Sequence, residues 1–233
     1  MIRLGIVDFD TSHVVAFTQI LNHVGVSEEQ WVDGAQVVMG CPGTSLLAPE
    51  TIPGYTEQLK SYGVALVEDP AEMIGQIDGV LIESQDGSVH YERAKAFLEA
   101  GVPMFVDKPF TCSLQHARAI ASLAEKNRVP VFSSSSLRYG LEVQEIHQKR
   151  DEIGKVLGAD AYSPGPLHPR NPGLFHYGIH GVETLYALMG PDCDSVWAVT
   201  TGGVDVITGA WKDGRVGTVR ATRAGAHSYG FTA

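Results

Sequence analysis

The residues of this chain best suited to chemistry fall in four short segments. Asp8-Phe9-Asp10-Thr11-Ser12-His13 follows an apolar run and precedes a helical pattern. Asp10, Thr11 and Ser12 are good helix caps, and Thr11, Ser12 and the helix N-terminus can hold a phosphate, helped by His13 when it is protonated. Ser84 to His90 is a polar turn between a strand and a helix, with His90 placed to cap that helix. Lys108, within Asp107-Lys108-Pro109, sits at the carboxyl end of a strand, where open α/β sheets bind ligands. His176 and His180 are four apart in a helical stretch and are expected to face the same way. A helical His-x-x-x-His pair can bind zinc, but neither the glutamate of His-Glu-x-x-His nor a placed third ligand accompanies it, so no metal is expected. The chemistry these groups suit is proton transfer. Such transfer needs a group within hydrogen-bond reach of the proton it moves, with a pKa near the working pH. Histidine meets that need unperturbed, and burial can shift a lysine to meet it.

The elements that must position these residues alternate in the first half between short apolar runs and amphipathic stretches, the pattern of a parallel sheet flanked by helices. Strands are expected at 4–7, 35–39, 64–67, 79–82, 102–106 and 129–132. Helices are expected after Thr11 or Ser12, at 55–62, after Asp69, at 90–99 and at 113–127. Six strands with helical crossovers predict a doubly wound, Rossmann-like sheet over residues 1–137. From 138 to 233 the texture changes. A helix at 141–149 and a Gly/Pro-rich stretch at 158–173 precede a helix at 176–189. Strand-like runs follow at 195–200, 204–211 and 215–222, with Lys212-Asp213-Gly214 as a hairpin turn. This half is expected to be an α/β domain with a mainly antiparallel sheet. The run Ser133 to Ser136 suggests a pocket wall, and the final Phe231-Thr232-Ala233 resembles the middle of a strand, which suggests an incomplete second domain.

Bulk properties narrow the function. The 233 residues carry 17 basic and 27 acidic side chains, a formal charge of −10, which repels nucleic acid and anionic lipid. Three cysteines, far apart and without a Cys-x-x-Cys pair, support neither a disulfide framework nor a thiolate zinc site. The N-terminus reaches Asp8 too soon to be a signal peptide, and no apolar run approaches the roughly 20 residues of a membrane helix. A soluble, cytoplasmic protein is expected.

Several separated motifs, in order, resemble the glucose–fructose oxidoreductase / inositol dehydrogenase / rhizopine catabolism (Gfo/Idh/MocA) family. These are Gly79-Val80-Leu81-Ile82-Glu83-Ser84 with His90-Tyr91-Glu92-Arg93-Ala94, and Glu99-Ala100-Gly101-Val102-Pro103-Met104-Phe105-Val106-Asp107-Lys108-Pro109, where Asp107 replaces the usual glutamate. Val129-Pro130-Val131-Phe132 with Leu137-Arg138-Tyr139, Ile153-Gly154-Lys155-Val156 as the strand opening the second domain, and His176 to His180 with Leu185 and Gly190 complete the match. The resemblance implies an oxidoreductase that passes hydride between NAD or NADP and a sugar, polyol or related hydroxy compound. It makes Lys108 a proton relay or substrate-orienting cation and His180 the general acid/base, with His176 where an aspartate is usual. Asp10, Thr11, Ser12, His13, Ser84, His90, Asp107 and Pro109 fall at cofactor positions, and Tyr177 and Arg138 near substrate. It also implies a homo-oligomer formed through the second-domain sheet.

The first loop departs from that pattern. Asp8, Asp10 and His13 occupy the three glycine positions of Gly-x-Gly-x-x-Gly, where glycine lets the backbone approach a pyrophosphate. A carboxylate about 5 Å from a phosphate charge costs about 3 kcal/mol at an effective dielectric near 20, more than a hundredfold in affinity. The second strand also ends without the acidic residue that grips a ribose hydroxyl. Two other readings follow. One is a catalytically silent relative that binds a sugar-like ligand or a protein partner. The other rests on Asp8-Phe9-Asp10-Thr11, which matches the opening of haloacid-dehalogenase-type phosphatases, with Asp8 as nucleophile, Asp10 as acid/base and magnesium beside them.

Overall fold

Short runs rich in Val, Ile and Leu form the strands, and stretches with apolar residues at helical spacing form the crossovers. The computed structural model describes residues 1–225 and 227–233 and divides the chain into two units, Met1–Ser133 and Ser134–Ala233. The division lies just before Arg138.

The first unit holds β1 (Ile2–Val7), α1 (His13–Asn22), β2 (Ala35–Cys41), α2 (Ile52–Ser61), β3 (Ala65–Leu66) and β4 (Gly79–Ile82). It continues with α3 (His90–Glu99), β5 (Met104–Val106), α4 (Leu114–Asn127) and β6 (Val131–Phe132). Its sheet has the order β3-β2-β1-β4-β5-β6 and every pairing is parallel, so the strand order reverses between β1 and β4. The segment after Asp69 forms only a 3-10 turn, Pro70–Met73, closed by a capping box between Asp69 and Glu72. Two apolar layers hold the sheet. Val80, Ile82, Phe97, Leu98, Val106 and Ile120 pack together in one, and Ile6, Phe9, Val14 and Leu59 in the other.

Register brings acidic residues together. Val7 pairs with Ile82 and Ile82 with Val106, so these three strands end side by side. The next residue of each is acidic: Asp8, Glu83 and Asp107. The ladder runs one residue further, as the Glu83 amide donates to the Val7 carbonyl at 3.0 Å and the Asp107 amide to that of Ile82 at 2.9 Å.

The second unit holds α5 (Leu141–Gln148), α6 (Arg150–Ile153), β7 (Gly158–Pro164), α7 (Ile179–Met189), β8 (Cys193–Thr200), β9 (Val204–Trp211), β10 (Val216–Thr222) and β11 (Gly230–Thr232). Its sheet runs β11-β7-β10-β9-β8 and is antiparallel except for the parallel pair β7–β10. Leu185 and Leu188 of α7 pack on Ala161, Trp211 and Val219 of this sheet. Three expectations need correcting. The strand opening the unit is β7, inside the stretch expected to be irregular, and not residues 153–156. Helix α7 starts at Ile179, so His176 lies before it, at the end of the 3-10 turn Gly173–Phe175. In the 212–214 turn only Gly214 takes a positive φ, +86°.

Phe97 is 1% exposed and sits in the larger of the two layers. Phe97→Ala should destabilise the first unit by about 3–5 kcal/mol, read as a lowered urea midpoint with the slope unchanged.

Candidate functional site

The loop after β1 is turned into the protein rather than toward solvent. Asp8 takes φ +63°, a left-handed conformation more usual for glycine, and is only 2% exposed. Its Oδ2 accepts from the Ser84 hydroxyl at 2.5 Å and from Arg93 Nε of α3 at 2.7 Å. Gly43, at φ +62°, passes so close that a Cβ there would lie 1.8 Å from Asp8 Oδ1. Asp10, also 2% exposed, accepts from the Ser45 hydroxyl at 2.6 Å and the Gln85 amide at 2.9 Å. The Gln85 side chain in turn donates to the Asp10 carbonyl. Burial pushes the Asp10 carboxyl above its ordinary range, the Ser45 and Gln85 hydrogen bonds oppose that rise, and the charge of Asp8 adds to it. The loop is thus stitched to the 83–88 turn across the point where strand order reverses, the place where doubly wound sheets receive ligands.

Beside it lies a second acidic group. His13 Nδ1, in the first turn of α1, is 2.8 Å from Asp107 Oδ2 and 3.9 Å from Glu83 Oε2. Glu83 is fully buried and neither carboxyl oxygen has a hydrogen-bond partner. Burial first, and the neighbouring charge of Asp107 second, push the Glu83 carboxyl well above the usual carboxylate range, with Lys108 pulling the other way. The Lys108 side chain is 17% exposed, its ammonium 3.9 Å from Asp107 Oδ2.

These positions sort the expected cofactor residues. Ser84 spends its hydroxyl on Asp8. His90, fully buried, has Nε2 2.7 Å from the Ser84 carbonyl and Nδ1 3.1 Å from that of Phe110, so it ties two loops together rather than capping α3 or reaching a ligand. Asp10 and Asp107 face inward. Pro109 closes on Gly87, where a Cβ would meet its ring at 2.7 Å. Thr11 and Ser12 are placed differently. The Thr11 hydroxyl accepts from the His13 amide at 3.3 Å, while Ser12 is exposed and makes no side-chain cap. Among the described residues, the Thr11 and Ser12 amides donate to no acceptor.

A pyrophosphate is a doubly charged anion, and the loop fits it through these amides. Two unspent N–H groups stand at the N-terminus of a ten-residue helix, where the macrodipole favours negative charge. The repulsion expected from Asp8 is removed by its inward turn and its pairing with Arg93. The same burial leaves Asp8 unsuited to attack phosphorus, which disposes of the phosphatase reading.

In the second unit, Ser135 is fully buried and its Oγ lies 2.6 Å from His180 Nδ1 while accepting from the Leu137 amide at 3.2 Å. His176 and His180 do not share a helix face, yet Tyr177 links them, with ring centroids 4.9 Å and 5.9 Å away respectively. Tyr229 stands edge-on to His180 at 5.5 Å, and His168 lies 5.3 Å from His176. Tyr177 and Tyr229 are 42% and 41% exposed. The Tyr229 phenol is raised above its ordinary range, first by burial and then by Tyr177. Arg138 does not stand open to a ligand, since its Nε pairs with Glu183 at 2.9 Å, one turn along α7 from His180. Ser135, Glu183, Arg93 and Glu83 were missed from the sequence. Only the serine run hinted at one of them.

A six-stranded doubly wound sheet whose strand order reverses at its centre is an architecture that binds dinucleotides at that reversal. Residues 50–135 match the model of the oxidoreductase family, NAD-binding Rossmann fold. The chain is 29% identical over 106 residues to the rhizopine catabolism protein MocA of Rhizobium meliloti, covering 45% of this chain and 32% of that protein. It is 28% identical over 115 residues to the oxidoreductase YhhX of Escherichia coli, covering 44% and 33%. The matched region thus spans about a third of the length of these curated relatives. Among solved structures, scyllo-inositol dehydrogenase from Lactobacillus casei with bound NAD(H) and scyllo-inositol superposes with a TM-score of 0.77 at 20% identity, covering 99% of this chain and 72% of that one. A probable dehydrogenase from Thermotoga maritima gives 0.78 at 18% identity, covering 98% and 71%. These structural likenesses bear on the fold. Residues 50–135 of the chain thus match the Gfo/Idh/MocA oxidoreductase family.

The Arg93–Asp8 pair yields a direct test. Arg93→Met strands a buried carboxylate and should cost about 3–5 kcal/mol of stability, read by urea unfolding. Adding Asp8→Asn should recover most of the loss. A double variant no more stable than the single one would show that the charge pairing is not what holds the loop.

Proposed function

We propose that the protein is a nicotinamide-dependent oxidoreductase acting on a secondary hydroxyl of a sugar, polyol or related hydroxy compound, with His180 exchanging the hydroxyl proton. The observation that carries this reading is the 2.6 Å contact of His180 Nδ1 with the buried Ser135 hydroxyl, beside two half-exposed tyrosines. A hydroxyl both donates and accepts, so Ser135 serves either tautomer of the ring, whereas a carboxylate would hold only the Nδ1–H form. The imidazole can therefore accept a proton at Nε2 in one direction of the reaction and return it in the other. Tyr177 and Tyr229 offer flat apolar walls of the kind that line small-molecule pockets.

In the first unit, the Thr11 and Ser12 amides are assigned to the cofactor's pyrophosphate. When bound there, the nicotinamide supplies the hydride acceptor or donor. Lys108, oriented by Asp107, is assigned to a substrate oxygen as proton relay or orienting cation. The competing reading is a relative that binds a sugar-like ligand without turnover, and it draws its support from side chains at all three glycine positions.

Oxidation of a panel of sugars and polyols, followed by nicotinamide absorbance, tests the proposal. One substrate class should be turned over, and His180→Ala should lower kcat by about 10²–10⁴-fold with the fold intact by circular dichroism. Ser135→Ala should lower it less and narrow the pH range of activity. Rates unchanged in both His180→Ala and Lys108→Ala would sink the assignment. Homo-oligomerisation through the second-unit sheet is also proposed, supported by Trp197 and Val199 on the edge strand β8, 61% and 68% exposed and on one face. Trp197→Glu should shift the sedimentation coefficient to that of a monomer. An unchanged coefficient would place the contact elsewhere.

A further inference from the structure

We propose that His13, Glu83 and Asp107 form a binding site for a divalent first-row transition-metal cation. The proposal stands on the geometry of the three side chains and does not depend on the nicotinamide reading.

The three residues come from different elements: the first turn of α1 and the ends of β4 and β5. One ligand atom from each lies within 4.8 Å of the other two. Bonds of about 2.0–2.2 Å to nitrogen and carboxylate oxygen let one ion span about 4.4 Å between opposite ligands, so small side-chain rotations close the shell. His13 Nδ1, now 2.8 Å from Asp107 Oδ2, would move off that oxygen by a few tenths of an ångström so that both face the ion.

The independent observation is Glu83. A fully buried carboxyl with neither oxygen hydrogen-bonded is rare in folded proteins and costly to keep. Its Oε2 points to the space shared with His13, at 3.9 Å. A cation is what that carboxyl lacks. Lys108 does not supply it, because its ammonium lies 3.9 Å from the Asp107 oxygen and is not bonded to Glu83. Two carboxylates against one ammonium still favour a divalent ion. An imidazole with two carboxylates suits zinc, manganese, iron or cobalt better than calcium or magnesium, which prefer oxygen alone. Three protein ligands leave coordination positions open, as in sites where a metal meets water or substrate. His13, whose side chain is 35% exposed, forms the only partly open side of the group.

No metal was expected at the His176/His180 pair, and the site proposed here lies at a different place in the chain. The test uses purified full-length protein stripped with chelator and dialysed, titrated calorimetrically with MnCl2 and with ZnCl2, and followed by thermal unfolding. One ion per chain with a dissociation constant in the micromolar range or below, and a raised Tm, is expected. Glu83→Gln should weaken binding at least tenfold, and Asp107→Asn likewise, whereas His176→Ala with His180→Ala should leave it unchanged. Glu83→Gln keeps the size of the buried group, and its metal-free Tm reports whether it folds. If that variant unfolds, His13→Phe carries the same comparison. Absence of binding by the parent protein up to millimolar metal, or binding lost only in the His176/His180 variant, overturns the proposal. Manganese electron paramagnetic resonance adds a readout apart from turnover, since a bound ion gives a broadened spectrum that Glu83→Gln should return to that of the free ion.

Discussion

The arrangement of the first unit depends on one ion pair, the part-buried Arg93 with the buried Asp8. The strand β1 must turn sharply at its carboxyl end to reach α1, and here an aspartate makes the turn in a left-handed conformation that usually falls to glycine. The strain and the buried charge persist because Arg93 and Ser84 hold the carboxylate from the neighbouring crossover. That grip fixes the backbone of residues 8–12, which sets where the Thr11 and Ser12 amides point. It also hides a negative charge from any anion bound above. A turn that dinucleotide-binding folds commonly build of glycines is made here by a paired side chain.

The cost of that solution is a crowded, acidic strand edge. Because Val7, Ile82 and Val106 end in register, Asp8, Glu83 and Asp107 emerge as neighbours. Each is handled differently. Asp8 has its arginine, Asp107 has His13 and Lys108, and Glu83 has no hydrogen-bonding partner. Lys108 and His13 are therefore bound into one electrostatic group, and a substitution at any of its carboxylates will be felt by the others.

The doubly wound sheet was legible from apolar runs spaced by helical patterns, and so were the order of the elements and the change of texture before residue 140. What failed did so for physical reasons. Strand β7 has an alternating pattern diluted by Gly158, Ser163 and Pro164, and its stability comes from pairing with β10 and β11, far along the chain. His176 followed a helical spacing that the 3-10 turn before it interrupts, although its ring still joins the His180 group through Tyr177. The loop after β1 was read as acid facing a phosphate because sequence shows the carboxylates but not their partners, Arg93 for Asp8, 85 positions away, and Ser45 and Gln85 for Asp10. Glu83 and Ser135 could not be singled out for the same reason: their importance lies in what surrounds them.

The central claim is that the loop from Asp8 to His13, though it lacks glycines, presents backbone amides and not carboxylates to a phosphate. Titration of the purified protein with NADH and NADPH, following nicotinamide fluorescence and thermal stability together, tests it most directly. Micromolar binding of either cofactor with a matching rise in Tm is the result the structure predicts. No binding up to millimolar concentration, by a protein that unfolds cooperatively, would contradict it.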